Sequence, residues 1–95
     1  MRICEKNQVP LRYSMQLRFD SEADVIFLAL RAARGGEAGG KRLDDARIAH
    51  MDRAGRVFAY EFLRVSRGVS LVGIDTNDAG RIREAIKPVI QLAVA

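Results

Sequence analysis

A chain of 95 residues has room for one hydrophobic core, which excludes two independently folded domains. With 48% hydrophobic and 29% charged residues it lies outside the disordered classes, and no apolar run approaches the roughly 18 residues of a membrane span. The net charge is +4 and thirteen of the sixteen basic residues are arginine, a balance that permits an acidic partner without requiring one.

The opening "MRICEKNQVP" is too polar for a secretory signal. Cys4 is the single cysteine, so no internal disulfide can form, which fits a reducing cytoplasm. Met15 offers a second start, and residues 1–14 read as an N-terminal extension to a single domain over 15–95. From Leu11 the odd positions Leu11, Tyr13, Met15, Leu17 and Phe19 are apolar and the even ones polar, the alternation of a half-buried strand. "DSEAD" follows without apolar periodicity. Val25 to Arg31 then forms an apolar run whose length and β-branched content predict a strand buried on both faces.

"RGGEAGGK" holds four of the eight glycines and reads as a long hairpin loop. A phosphate cradle would need Lys-Ser/Thr leading into a helix, whereas Lys41 is followed by Arg42 and Leu43. "ARIAHMDRAGRVFAYEFLRV" reads as a hairpin. Its turn is Asp52-Arg53-Ala54-Gly55: the aspartate accepts local backbone hydrogen bonds, and Gly55 supplies the positive φ that closes a type I turn with a bulge. Strict alternation puts Phe58, Tyr60 and Phe62 on one face of the second arm. Val57, Ala59, Leu63 and Val65 fall on the other, interrupted by Glu61.

"DTNDAG" is rich in capping residues, with Asp75 or Thr76 as N-cap and Asp78 in the first turn of a helix. Ile82, Ala85, Ile86, Val89, Ile90 and Ala93 recur at helical spacing, opposite Arg83, Glu84, Lys87 and Gln91. Pro88 predicts a kink or a restart. The expected fold is therefore α+β: a four-stranded antiparallel β-meander followed by a C-terminal amphipathic helix.

Two segments carry a resemblance. "FDSEADVIFLAL" resembles the "YDxExDxLYIxL" opening of the small bacterial domain of unknown function 2283. "DDARIAHMDRAGRVFAYEFL" resembles that family's "xDGVIVDxDxDGRVVGIEIL". Asp20, Asp24, Asp52, Gly55, Arg56 and Glu61 fall on matching positions, over about residues 15–65. Ser21, His50 and Ala59 depart from a common proline, an acidic residue and a glycine. The resemblance implies a small bacterial β-meander with a terminal helix. It implies no activity, because none is established for the family; an antitoxin-type partner role is suggested by members that sit beside small toxin-like proteins.

The candidate residues divide by chemistry. Asp20 and Asp24 predict turn acceptors holding the hairpin in register; as metal ligands they would need further oxygens converging from elsewhere, such as Glu61. Glu61, a carboxylate in an apolar strand, calls for an ion pair with Arg18, Arg31 or Arg47. His50 is the single histidine; Asp52, two residues along, would be its orienting carboxylate, and Ser66 and Ser70 are the nearest nucleophile types. His50 and Cys4 are too few soft ligands for zinc. Phe58, Tyr60 and Phe62 between Arg56 and Arg64 form either a core row, a base-stacking surface or a dimer surface.

One amphipathic helix can cover one face of a sheet, which leaves apolar side chains for a second subunit. The preferred reading is a non-enzymatic, homodimeric, cytoplasmic module that binds a small protein partner, with no catalytic or metal residues, no cofactor and no membrane contact. A nucleic-acid-binding module ranks second and a metal-dependent hydrolase third.

Overall fold

The computed structural model describes the backbone of residues 15–94 and the side chains of residues 15–89. The extension expected over residues 1–14, with Cys4, Leu11 and Tyr13, lies outside the described residues, as do the side chains of Ile90, Gln91 and Ala93. Five strands and two helical elements follow in chain order: β1 (Gln16–Asp20), β2 (Val25–Ala29), β3 (Glu37–Asp44), β4 (Arg47–Asp52), β5 (Val57–Leu63), a 3₁₀ turn (Val65–Arg67) and α1 (Thr76–Val94). Among the described residues no helix is long and apolar enough to cross a membrane.

The α+β class holds, but the sheet has five strands where four were expected, all antiparallel in the order β1-β2-β5-β4-β3. The added strand is β3, which contains the glycines read as a loop. A glycine carries the same backbone donor and acceptor as any residue, so β3 pairs with β4 although none of its side chains is buried. Without a buried face it shows no alternation to read. Nor is the path a simple meander: β3, β4 and β5 are consecutive neighbours, but β5 also pairs with β2, so the β2–β3 connection crosses to the far edge.

Each hairpin is closed by its own chemistry. Asp20 Oδ1 accepts the N–H groups of Glu22 and Ala23, both at 3.0 Å, as a turn-forming aspartate does. Asp24 differs from expectation. It adopts a φ of +61° and its carboxylate leaves its own turn, accepting Ser66 N–H at 2.9 Å and Ser66 Oγ–H at 2.6 Å. It thereby ties the β1–β2 turn to the 3₁₀ turn. We expect Asp20→Ala to cost on the order of 1 kcal/mol through loss of local acceptors and Asp20→Asn to cost less. Urea titration of the two variants measures this; equal losses would show that the turn depends on charge instead.

The core lies between α1 and one sheet face, where Ile82 and Ile86 pack with Ile26, Leu28, Tyr60, Phe62 and Ala49. Asp75 is the N-cap, its Oδ2 accepting Asp78 N–H at 3.2 Å. Asp78 then receives the Arg31 guanidinium at 2.6 Å, fastening the helix start to the end of β2. Helix α1 continues through Pro88 without restarting. On the same sheet face Arg47 is nearly buried. It donates to the Ser70 and Val72 carbonyls and pairs with Asp44 at 3.0 Å, so it holds the segment before α1 against the sheet.

Candidate interaction face

Cross-strand register sets out the opposite face. Arg18, Phe27, Glu61, Ile48 and Arg42 follow one another across β1, β2, β5, β4 and β3, with Ala29, Ala59, His50 and Gly40 in the next row. The single described α-helix packs on the other face, so no described helix covers this one. Val25, Phe27, Ala29, Ile48 and Leu63 are half-buried on it.

A β-bulge reassigns the aromatic row. Register passes from His50↔Ala59 to Met51↔Val57, which leaves Phe58 as the extra residue. Its ring lies 6.4 Å from that of His50, on the uncovered face, while Val57 packs against the core. Tyr60 and Phe62 keep the core side, 6% and 1% exposed, with rings stacked at 6.1 Å. The expectation that Phe58, Tyr60 and Phe62 form one dimer, partner or base-stacking surface is therefore corrected: two are core, and Phe58, itself buried at 8% exposure, is turned away from them beside His50. Val65, expected on the aliphatic face of this strand, lies in the 3₁₀ turn and is also core. Burial raises the Tyr60 hydroxyl above its ordinary range, with the charge of Asp78 adding to the effect.

His50 and Glu61 form the centre of the uncovered face. Glu61 does not pair with Arg18, Arg31 or Arg47; its Oε1 lies 3.1 Å from His50 Nε2. Glu37 Oε2 lies 2.7 Å from His50 Nδ1, so the imidazole spans two carboxylates from β3 and β5. Phe27 meets the ring edge-on at a centroid distance of 5.3 Å, and the Arg18 guanidinium stacks over Phe27 at 4.8 Å. Gly40 faces His50 across the β3–β4 ladder. A Cβ there would sit 3.3 Å from Ile48 Cγ2 and 3.8 Å from His50 Cε1, so glycine keeps open the space the ring occupies. Burial pulls the His50 proton affinity down, but the hydrogen bonds and charges of Glu37 and Glu61 outweigh it and raise the imidazole above its ordinary range.

Asp52 would have been the orienting carboxylate had His50 been a general base; in the structure the carboxylates at His50 are Glu37 and Glu61. Asp52 is 1% exposed and belongs to the β4–β5 turn. Its Oδ1 accepts the N–H groups of Ala54 at 3.0 Å and Arg56 at 2.9 Å, and its Oδ2 accepts Arg34 N–H at 3.0 Å. The Arg56 guanidinium approaches Oδ2 at 3.4 Å. Gly55 closes the turn at φ +86°, donating to the Asp52 carbonyl at 3.0 Å. Backbone donation from Arg56, with lesser help from Arg34 and Ala54 and from the Arg56 charge, holds the Asp52 carboxyl below its ordinary range despite burial.

Glu37 is the site residue that sequence reasoning missed. It stands inside the glycine-rich stretch, and only recognition of that stretch as a strand beside β4 would have placed it against His50. Both His50 ring nitrogens face carboxylates and neither faces a serine; Ser66 Oγ is committed to Asp24, and Ser70 Oγ accepts Val72 N–H. Among the described residues no three His, Cys, Asp or Glu side chains converge to hold a metal ion. The shallow groove beside the helix start, between Met15 and Gly80, Arg81, Glu84 and Ala85, is mostly apolar.

Comparisons of the chain with protein-family models, with curated proteins and with solved structures find no match.

Proposed function

We propose that this protein is a small non-enzymatic interaction module that forms a homodimer in the cytoplasm and uses its uncovered sheet face to bind protein. The observation that supports this reading is the composition of that face. Phe27, Ile48 and Leu63 are half-buried with no described helix above them, and the ionisable groups at its centre, His50, Glu37 and Glu61, are engaged with one another. Half-covered aromatic and aliphatic side chains gain about 25 cal/mol for each Å² removed from water, and a two-fold pairing lets one patch serve both subunits. The resemblance to the domain of unknown function 2283 is part of this proposal, and an antitoxin-like role is the form of partner binding it suggests.

Sedimentation at micromolar concentrations tests the reading. The expected result is a mass that rises above 10.6 kDa with loading concentration and returns to the monomer in Phe27→Arg. A wild-type mass fixed near 10.6 kDa at every loading would sink it.

A further inference from the structure

Strand β3 is unusual within this sheet: its eight residues are all exposed, so no side-chain burial on either face secures it. Besides its backbone ladder to β4, two side-chain ties hold it: Asp44 pairs with Arg47 at its last residue, and Glu37 meets His50 at its first. We propose that His50 is a proton-operated latch for this edge strand, fastening β3 to the sheet when the imidazole is charged and releasing Glu37 when it is neutral. The idea goes beyond the proposed interaction function and holds whether or not the face is occupied.

An ionised carboxylate only accepts, and Glu37 and Glu61 approach opposite ring nitrogens at 2.7 and 3.1 Å. A charged imidazolium has two N–H donors and satisfies both. A neutral imidazole has one N–H; its other nitrogen carries a lone pair, which repels a carboxylate. The two contacts therefore cannot both survive deprotonation while both glutamates stay ionised. Solvent decides which one is lost. The side chain of Glu37 is 46% exposed on an edge strand, whereas that of Glu61 is 30% exposed on a strand paired on both sides. Water replaces the lost bond at lower cost for Glu37, so the neutral ring keeps Nε2–H on Glu61.

The surroundings of the ring favour such a switch. Its side chain is 16% exposed, with Phe27 and Phe58 packed edge-on against it. The charged groups facing it are Glu37 from β3 and Glu61 from β5; Arg18 from β1 is stacked on Phe27, one strand further away. Glycine at position 40 lets the ring lie across the ladder toward Glu37. The proton affinity of His50 is already raised by the two glutamates, so release would come as pH rises past the ordinary histidine range.

Amide hydrogen exchange of the full chain, combined with ring ¹⁵N shifts of His50 across its titration, tests the latch. Protection of residues 37–44 is read relative to β5 in the same sample, which cancels the pH dependence of intrinsic exchange. In the wild type this ratio is expected to fall about tenfold across the His50 titration, the scale of one lost charge-assisted hydrogen bond. It should stay flat with pH in His50→Gln and in Glu37→Gln, and the neutral ring should be the Nε2–H tautomer. A wild-type ratio that stays flat through the titration, a His50→Gln ratio that falls as the wild type does, or a neutral ring protonated at Nδ1 would each overturn the proposal.

Discussion

Phe62→Ala is expected to destabilise the fold by about 3–5 kcal/mol, while Phe27→Ala should cost only about 1 kcal/mol and act mainly on self-association. The two phenylalanines belong to neighbouring strands but to opposite faces. Phe62 is 1% exposed among Ile26, Leu28, Ile82 and Ile86, so truncation leaves a cavity that a sheet and a docked helix cannot close. Phe27 is partly exposed and touches His50 and the Arg18 guanidinium, contacts whose loss solvent partly compensates. Urea titrations of both variants, with sedimentation beside them, read the two effects separately. Equal destabilisation by the two variants would place Phe27 in a buried core and remove the uncovered face from the account.

Asp52→Ala should lower the melting temperature by about 10–20 °C, the expected scale for stripping several hydrogen bonds from a buried charged acceptor in a domain this small. Three backbone N–H groups, from Arg34, Ala54 and Arg56, converge on one carboxylate that is almost fully enclosed. Alanine leaves all three without that acceptor and removes the Arg34 tie between the β2–β3 connection and the β4–β5 turn, leaving the Arg53 N–H to Gly36 carbonyl bond. Asp52→Asn keeps one acceptor oxygen but turns an NH₂ toward the remaining donors, so its loss should be intermediate. Differential scanning calorimetry gives the order wild type, Asn, Ala. An Asn variant as stable as the wild type would mean that the charge contributes little.

The same groups set the pH profile. The folded-state affinities of Asp52 and Asp44 lie below the ordinary value of 3.8, for Asp52 through Arg56 N–H first and for Asp44 through the Arg47 hydrogen bond first. Their contribution to stability is present above that value and is lost as pH falls through their folded values. His50 is shifted the other way, above 6.5. Its contribution is complete below 6.5 and disappears as pH rises through the folded value. Melting temperature should therefore be highest between these limits, and His50→Gln should abolish the decline on the alkaline side alone.

Several elements were legible because their signal is local. The Asp20 turn, the Asp52–Gly55 turn with its positive φ, the Asp75 cap and the Ile82/Ile86 stripe each depend on residues within one or two turns of chain. Hydrogen-bond geometry or helical period then dictates the outcome. The fifth strand was not legible. β3 buries no side chain, so it carries no alternation, and its glycines speak for a loop until β4 supplies a partner for their backbone groups.

The site was legible in its members more than in its pairings. Glu61 and His50 stand out in the sequence as a carboxylate in an apolar strand and a solitary imidazole. That they meet, with Glu37 as third member, follows from the order β5-β4-β3, which no local pattern encodes. Asp24 likewise reads as a turn residue but reaches Ser66, 42 positions away. The face of Phe58 was decided by one unmatched residue between β4 and β5, because a bulge reverses the alternation on one side of itself. The sequence by itself thus determined the class of fold, the Asp20 and Asp52–Gly55 turns and the capped amphipathic helix. Strand order, register and the bulge, which arise only when distant backbone segments pair, decided which charged groups meet and which side chains remain at the surface.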